Sequence, residues 1–248
     1  MSKSIAVKIY GERNTGTNYL SKLIDINCDV KMLNGVVPDG LGKIIKNREW
    51  ARDFYFSVTA HSNFGWKHAV PMSERIGVHD NVLVVTLTKN PYSWLLSLFR
   101  RAYHMGMRQE GFGSFLRAPC RVVGRENYRG DIGNPVALWN IKNGSYLKVQ
   151  DYAKCSNVKY ESLLQDPQKV VEEIVTTYRL PRRNEEFKNL NEASKTVDSG
   201  KDYDYYRRYY LEEQWKDKLQ QDDVDFINQN LDDNIIAQYG YEKITNLR

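Results

Sequence analysis

Cysteine is scarce in this chain. Its three cysteines, Cys28, Cys120 and Cys155, lie far apart, and no C-x-x-C pair occurs. A disulfide framework uses an even set of cysteines, and a structural zinc site usually draws on closely spaced pairs. The sequence therefore predicts reduced thiols, as in a cytoplasmic protein, and neither disulfides nor a zinc site.

Long apolar runs are also missing. The first residues, MSKSIAVKIYGER, contain no extended hydrophobic stretch and pass directly into a predicted strand. A secretory signal needs an apolar core of at least seven or so residues, and a membrane helix needs about 20. We therefore expect a cytoplasmic protein with no membrane partner.

An excess of charge of one sign is nearly absent. The chain has 36 basic and 31 acidic residues, which gives a net charge of +5. Such a mild excess favours an anionic ligand at one site, but it does not favour nucleic acid along a whole face. The 248 residues, 41% of them hydrophobic, suit one α/β domain spanning residues 1–248.

Predicted strands and helices alternate along the chain. This order is typical of a parallel sheet with crossover helices, so we expect an α/β three-layer fold. Two stretches interrupt the pattern: an irregular, arginine-rich insertion at about 100–133 and a charged stretch that includes a possible lid at about 195–210. The predicted strands are 4–10, 63–70, 81–90 and 157–163, and the predicted helices are 18–27, 91–102, 134–153, 166–180, 212–220 and 222–238.

A glycine loop lies between the first predicted strand and helix. Gly11 and Gly16 have the spacing of G-x-x-x-x-G-K-[ST], but Thr17 replaces the lysine and Asn18 replaces the magnesium-binding Ser or Thr. Backbone N–H groups at a helix N-terminus form an anion site, and Arg13 adds a planar fork of donors. The best match is a nucleotide that ends in a compact anion and needs no metal.

Four ordered segments resemble the sulfotransferase family that uses 3′-phosphoadenosine 5′-phosphosulfate (PAPS). They span residues 11–167, about two thirds of the chain. The resemblance implies a P-loop-NTPase-like sulfotransferase fold, PAPS as the donor and no metal. The segments are RNTGTNY, GWKHAVP, TKNPYSWLLS and YESLLQDP.

The resemblance also implies roles for individual residues. The loop would hold the sulfated 5′ end, Lys89 and Ser97 would bind the 3′-phosphate, and His68 would be the general base, with Arg13 and Lys67 meeting developing charge. Tyr160, at the end of a predicted strand near the same edge, could contact the base. The full set of predicted donor-binding residues is Arg13, Asn14, Thr15, Gly16, Thr17, Asn18, Tyr19, Lys89, Ser97, Tyr160, Arg207 and Arg208.

The sequence departs from the family pattern at two of these positions. Many members have a lysine two residues before the second glycine of the loop, where this chain has Asn14, and the 3′-phosphate motif usually begins with arginine, where this chain has Lys89. A lysine keeps the charge but loses bidentate geometry. Arg13 is therefore the candidate to replace the loop lysine.

The position of the candidate base raises a geometric question. Lys67 and His68 are adjacent in a predicted strand, so their side chains should point to opposite faces unless the strand ends or bulges there. His61 is the fallback base, and Glu12, beside the loop, is a weaker one.

The acceptor and two other function classes stay open. Arginine-rich and tyrosine-rich surroundings favour a carbohydrate hydroxyl over an amine or a small phenol, and the seven arginines of the insertion suggest an acceptor with anionic character. The enzyme alternative is a P-loop kinase for a small molecule or nucleotide. The other is a basic module that binds nucleotides or, through the Tyr- and Arg-rich segment GKDYDYYRRYYLEEQW, single-stranded nucleic acid. The sequence gives no indication of oligomeric state.

Overall fold

The computed structural model describes residues 5–45, 48–101, 109–190 and 200–247. Its centre is a sheet of four parallel strands in the order β2-β1-β3-β4. The strands are β1 (Ala6–Gly11), β2 (Lys31–Leu33), β3 (Val82–Thr88) and β4 (Lys154–Lys159). Every residue of β1 and β3 is buried, as expected for central strands covered on both faces.

Alternate side chains of the central strands enter two different hydrophobic clusters. Val7 and Val85 belong to the larger cluster, whereas Tyr10 and Val84 belong to a smaller one on the opposite face. Side chains alternate across a strand, so each face of the sheet has its own covering layer. The predicted α/β class with a central parallel sheet and flanking helices is thus confirmed, and the two clusters are consistent with three layers.

Twelve α-helices occur in the described ranges. They are α1 (Thr17–Asn27), α2 (Asp39–Ile45), α3 (Glu49–Asn63), α4 (Ser73–Ile76), α5 (Pro91–Arg100), α6 (Phe112–Arg117), α7 (Pro135–Leu147), α8 (Tyr160–Gln165), α9 (Pro167–Tyr178), α10 (Tyr203–Leu211), α11 (Gln221–Asn230) and α12 (Asp233–Gln238). Short 3-10 turns span Gly124–Glu126, Lys148–Asp151 and Gln214–Lys218. None of the helices in these ranges has the length and apolar character needed to cross a membrane.

Two helix starts follow directly from sequence. Asn90 accepts a hydrogen bond from the Tyr92 N–H at 3.1 Å at the start of α5, and Asp166 accepts one from the Lys169 N–H at 2.9 Å at the start of α9. A proline occupies the first turn of each helix, where its missing N–H costs nothing. Both predicted capping sites are confirmed.

The predicted strand 63–70 is wrong. α3 occupies the chain up to Asn63, and Phe64 and Gly65 then adopt left-handed conformations with φ of 58° and 83°. Two successive left-handed residues cannot continue an extended strand. The fourth strand of the sheet is instead the short edge strand β2, which the sequence did not predict.

Three other boundaries differ from prediction. The strand predicted at 157–163 ends at Lys159, and its second half begins α8. The terminal helix predicted at 222–238 is two helices, because Asp232 caps a new start at α12. The helix predicted at 212–220 is a 3-10 turn, and the preceding charged segment forms α10.

The described part of the insertion contains α6 and the turn Gly124–Glu126. Residues 102–108 of the insertion and 195–199 of the proposed lid lie outside the described residues.

Candidate anion-binding active site

A cavity of about 1060 Å³ opens where β1, β3 and β4 end. Ligands bind at this edge in open parallel sheets. Among the described residues, its wall contains eight lysines and arginines and neither aspartate nor glutamate. The cations are Arg13, Lys22, Arg52, Lys67, Arg100, Arg101, Arg125 and Lys201. The wall is therefore suited to an anion of substantial size.

The glycine loop presents the N-terminus of α1 to this cavity. Asn14 and Gly16 have φ of 65° and 86°, and the Thr15 hydroxyl donates to the Glu12 carbonyl oxygen at 2.6 Å, which closes the loop. In the described structure, no side chain caps α1 and its first turn carries no acidic residue. The first N–H groups and the positive end of the helix dipole are therefore available to an anion.

Gly16 is required at its position for two reasons. Its left-handed φ is costly for other residues, and a Cβ placed there would lie 2.7 Å from the Tyr160 ring. Tyr160 begins α8 at the end of β4 and packs directly on the loop. The same glycine thus permits both the loop conformation and the close approach of an aromatic wall residue.

Lys67 and His68 lie in a turn, and both line the cavity. The Ala69 N–H donates to the Trp66 carbonyl oxygen at 3.0 Å, and the Gly11 N–H donates to the Lys67 carbonyl oxygen at 3.0 Å. The expectation that adjacent side chains diverge fails here because the segment is not a strand.

Lys67 places a cation beside the loop that lacks its own lysine. Its ammonium donates to the Asn18 side-chain oxygen in the first turn of α1. The charge missing at Thr17 is thus supplied from a distant position in sequence. Its side chain is largely buried, and a buried ammonium interacts more strongly with an anion than an exposed one does.

His68 is oriented by one main-chain contact. Its Nδ1 lies 2.5 Å from the Gly11 carbonyl oxygen, which can only accept, so Nδ1 carries a proton and, in the neutral ring, Nε2 keeps its lone pair. Surrounding protein, and then the charge of Lys67, lower the pKa of His68 well below its usual value, although part of the ring remains accessible from the cavity. A neutral imidazole with a free Nε2 can accept a proton at neutral pH.

A buried charged network lies behind the loop. Arg13 Nη2 pairs with Glu126 Oε1 at 2.8 Å, and Lys142 Nζ pairs with Glu126 Oε2 at 2.8 Å and Glu12 Oε1 at 3.2 Å. Lys142 also donates to the His68 carbonyl oxygen at 2.5 Å. The network therefore fixes Arg13 in the wall and connects the loop to the histidine turn.

Sequence analysis did not identify Glu126 or Lys142. Glu126 lies in a 3-10 turn and Lys142 lies in the middle of α7, and no local motif marks either residue.

The two fallback bases lie in different environments. Glu12 belongs to this network, where burial raises its pKa, and His61 lies exposed near the end of α3 and outside the cavity wall.

Lys89 and Ser97 form a pair next to the loop. Lys89 Nζ donates to Ser97 Oγ at 3.0 Å and lies 3.5 Å from the Asn14 carbonyl oxygen. Burial lowers the pKa of Lys89, which is 1% exposed and lies behind the cavity wall. The Tyr210 ring covers its ammonium at 3.8 Å, and the Tyr210 hydroxyl lies 3.3 Å from Ser97 Oγ.

α10 contributes a wall of tyrosines. Tyr205 stacks on Tyr209 at 6.1 Å and Tyr206 on Tyr210 at 6.4 Å, in the i, i+4 relation of a helix face. Tyr19 lies opposite, with its ring 6.2 Å from that of Tyr203. This wall can contact a flat base or a sugar ring.

The predicted site residues divide into three groups. The cavity wall includes Arg13, Asn14, Gly16, Thr17, Asn18, Tyr19, Lys67, His68, Ser97 and Tyr160. Thr15 and Lys89 are buried behind the wall. Arg207 and Arg208 are exposed on α10 and do not line the cavity, because the tyrosines occupy its inner face. Within the described part of the chain, no cluster of His, Cys, Asp or Glu has the makings of a metal site.

A comparison with models of known protein families and with curated protein sequences finds no match for this chain.

Proposed function

We propose that this protein is a sulfotransferase that moves a sulfuryl group from PAPS to an acceptor hydroxyl, on a carbohydrate. The observation that carries the proposal is the position of His68, whose Nδ1 lies 2.5 Å from the Gly11 carbonyl oxygen and which lines a cationic cavity beside Lys67 and the α1 N-terminus. An acceptor hydroxyl is a poor nucleophile until a base takes its proton. The free cysteines fit a reducing compartment such as the cytoplasm.

The residues present fit the two anionic ends of the donor. The uncapped α1 terminus, with Arg13 and Lys67 beside it, would hold the sulfated 5′ end. Lys89 and Ser97, 3.0 Å apart and in contact with the loop at Asn14, would hold the 3′-phosphate once the Tyr210 hydroxyl gives way. Tyr19 and Tyr160 would contact the adenine. The donor supplies an activated sulfuryl group on a phosphate that leaves readily.

The chain's own residues then perform two tasks. His68 Nε2 takes the proton of the acceptor hydroxyl as its oxygen attacks sulfur in line with the departing phosphate. Lys67, Arg13 and the N–H groups of residues 14–18 meet the negative charge that develops on that phosphate. Because hydrogen bonds to Glu126 and Asn18 hold Arg13 and Lys67, these two side chains need little reorganisation during the reaction.

The position of Lys67 also favours a second candidate, a P-loop kinase. A lysine near the loop provides the kind of cation that phosphoryl transfer uses, even though Thr17 stands in the usual place. Asn18 still lacks the hydroxyl that such enzymes use to bind magnesium. The two candidates therefore differ in their ligand: an adenosine 3′,5′-bisphosphate or ATP with magnesium.

Thermal denaturation with each ligand distinguishes them. A ligand at 100 times its Kd stabilises the native state by about 2.7 kcal/mol, which for a chain of this size raises Tm by about 5–10 °C. We expect this rise with adenosine 3′,5′-bisphosphate and not with ATP and magnesium. The reverse pattern would establish the kinase, and no rise with either would remove both candidates.

Replacing His68 tests the base. His68→Ala should keep bisphosphate binding and lower kcat by about 10²–10⁴-fold, which is the usual contribution of a general base. His61→Ala is the matched control, because it replaces an exposed histidine outside the cavity wall. Because the pKa of His68 is lowered, its neutral form persists below pH 6.5, so wild-type kcat/KM should decline only below that pH. Full activity in His68→Ala would exclude it as the base.

A further inference from the structure

A separate group of elements builds the cavity wall away from the tyrosines of α10. We call this part the acceptor half: Val36, Val37, Arg52, Phe56, Trp66 and Arg125. It adjoins His68, whose ring packs edge-on against Trp66 with centroids 4.8 Å apart. An acceptor whose hydroxyl reaches His68 from this side would have the rest of its molecule in the acceptor half.

Arg125 has a structural role in this half. Its guanidinium pairs with Glu49 Oε2 at 2.7 Å and Asp53 Oδ1 at 2.8 Å, and its side chain is 2% exposed. Asp53 also accepts from the Gly124 N–H at 3.1 Å. These bonds fix α3 against the turn Gly124–Glu126, and they therefore fix the face of α3 that lines the cavity.

Arg52 lies on that face and differs from the neighbouring arginines in exposure. Its side chain is 29% exposed, against 2% for Arg125 and 6% for Arg13. Its contact with Glu49 is 3.5 Å, while the same carboxylate lies 2.7 Å from Arg125. Glu49 thus lies closer to Arg125 than to Arg52, and the Arg52 side chain is the most exposed of the three.

Apolar side chains share the acceptor half with Arg52. Phe56 follows one turn later on α3 and is 3% exposed, and Val36 and Val37 come from the segment before α2. The described part of this wall contains neither aspartate nor glutamate. It therefore offers no carboxylate to a cationic ligand or to the hydroxyl groups of a neutral sugar. A partly exposed arginine in a wall that also contains apolar side chains matches a ring compound that carries an acidic group.

We propose that the acceptor is itself an anion, a hydroxyl compound with a carboxylate or sulfate near the accepting group, and that Arg52 binds this anionic group. The inference rests on the proposed sulfotransferase function and specifies its substrate class. Two anions would meet in one cavity, and the cationic wall offsets their repulsion.

The test uses two acceptors that differ only in this group, 4-nitrophenyl β-glucuronide and 4-nitrophenyl β-glucoside. We expect wild-type kcat/KM to be at least about tenfold higher for the glucuronide, the effect of roughly 1.4 kcal/mol. Arg52→Gln should remove this preference by raising KM for the glucuronide, while KM for the donor stays unchanged. Arg52→Lys should restore it only in part, because lysine lacks the planar fork. Arg48→Gln is the matched control, since Arg48 is an exposed arginine at the start of α3 outside the cavity wall.

Equal use of both glycosides by the wild type would overturn the inference. So would an equal loss for both in Arg52→Gln, because that result would assign Arg52 to the donor or to the fold. If neither glycoside is turned over, calorimetry measures the Kd of each glycoside for the bisphosphate-loaded protein, and the two Kd values are compared instead. Tighter, Arg52-dependent binding of the glucuronide supports the inference, and equal or absent binding refutes it. Failure of the sulfotransferase proposal is distinguishable, since bisphosphate would then fail to stabilise the protein.

Discussion

Replacing Lys89 by methionine tests how the cavity would recognise a ribose phosphate. Lys89 Nζ contacts Ser97 Oγ at 3.0 Å and the Asn14 carbonyl oxygen at 3.5 Å, so it lies between α5 and the glycine loop. A hydrogen bond to a charged group contributes about 1.5–3 kcal/mol, which corresponds to about 10–150-fold in Kd. We expect this loss for adenosine 3′,5′-bisphosphate and almost none for AMP, which lacks the 3′-phosphate.

The Lys89→Met variant should lose affinity for the bisphosphate without losing stability. Lys89 is 1% exposed, and burial lowers the pKa of its ammonium because the protonated form is disfavoured in the folded protein. A lysine whose pKa is lowered in the folded state destabilises the folded protein at neutral pH. This destabilisation decreases as pH rises through the folded-state pKa. Methionine keeps the apolar stem beneath Tyr210 and removes the buried charge. We therefore expect Tm to stay within about 3 °C of the wild type, or to rise.

Calorimetric titration of both nucleotides into wild type, Lys89→Met and Lys159→Met gives the comparison. Lys159 ends the neighbouring strand β4 and does not line the main cavity, so its replacement controls for the loss of one positive charge at the same sheet edge. An equal loss of affinity for both nucleotides would refute the reasoning, because Lys89 would then only support the loop. Unchanged affinity for the bisphosphate would refute it as well.

Two further substitutions test the parts that hold the site together. Glu126→Gln should destabilise the protein by about 3–5 kcal/mol, because it leaves Arg13 and Lys142 buried without their shared carboxylate; a fall in Tm of less than about 5 °C would contradict this. Gly16→Ala should abolish bisphosphate stabilisation, since the new Cβ would lie 2.7 Å from the Tyr160 ring at a φ of 86°. Wild-type ligand affinity in Gly16→Ala would show that the loop is not the binding element.

The centre of the fold was predictable from sequence, and its edges were not. β1 and β3 are continuous runs of buried, mostly apolar residues, and such runs indicate central parallel strands by themselves. β2 has only three residues and none is buried, so it leaves no pattern to detect. The segment 63–70 has the composition of a strand, but Phe64 and Gly65 adopt left-handed conformations directly after α3, and composition does not indicate them.

The candidate site was predictable where a local motif places residues, and not where packing does. The loop Gly11–Gly16 and the pair Lys89 and Ser97 lie within short segments whose helix starts are set by glycine or by Asn90. Glu126 and Lys142 come from separate elements, and only tertiary packing pairs them at 2.8 Å. The sequence indicated the arginines of the insertion as a group but did not separate the ones that enter the wall from the rest.

The way His68 is oriented explains why no partner for it was visible in the sequence. Many catalytic histidines are oriented by a carboxylate, which also raises the pKa of the imidazole. Here the orienting group is the Gly11 carbonyl oxygen, 2.5 Å from Nδ1, and the Gly11 N–H in turn donates to the Lys67 carbonyl oxygen at 3.0 Å. A main-chain carbonyl fixes the tautomer without adding a negative charge, so burial can keep the pKa low and the ring neutral. Because the residue that ends β1 is also the one that orients His68, the main chain of one residue, Gly11, positions the histidine turn at the start of the glycine loop.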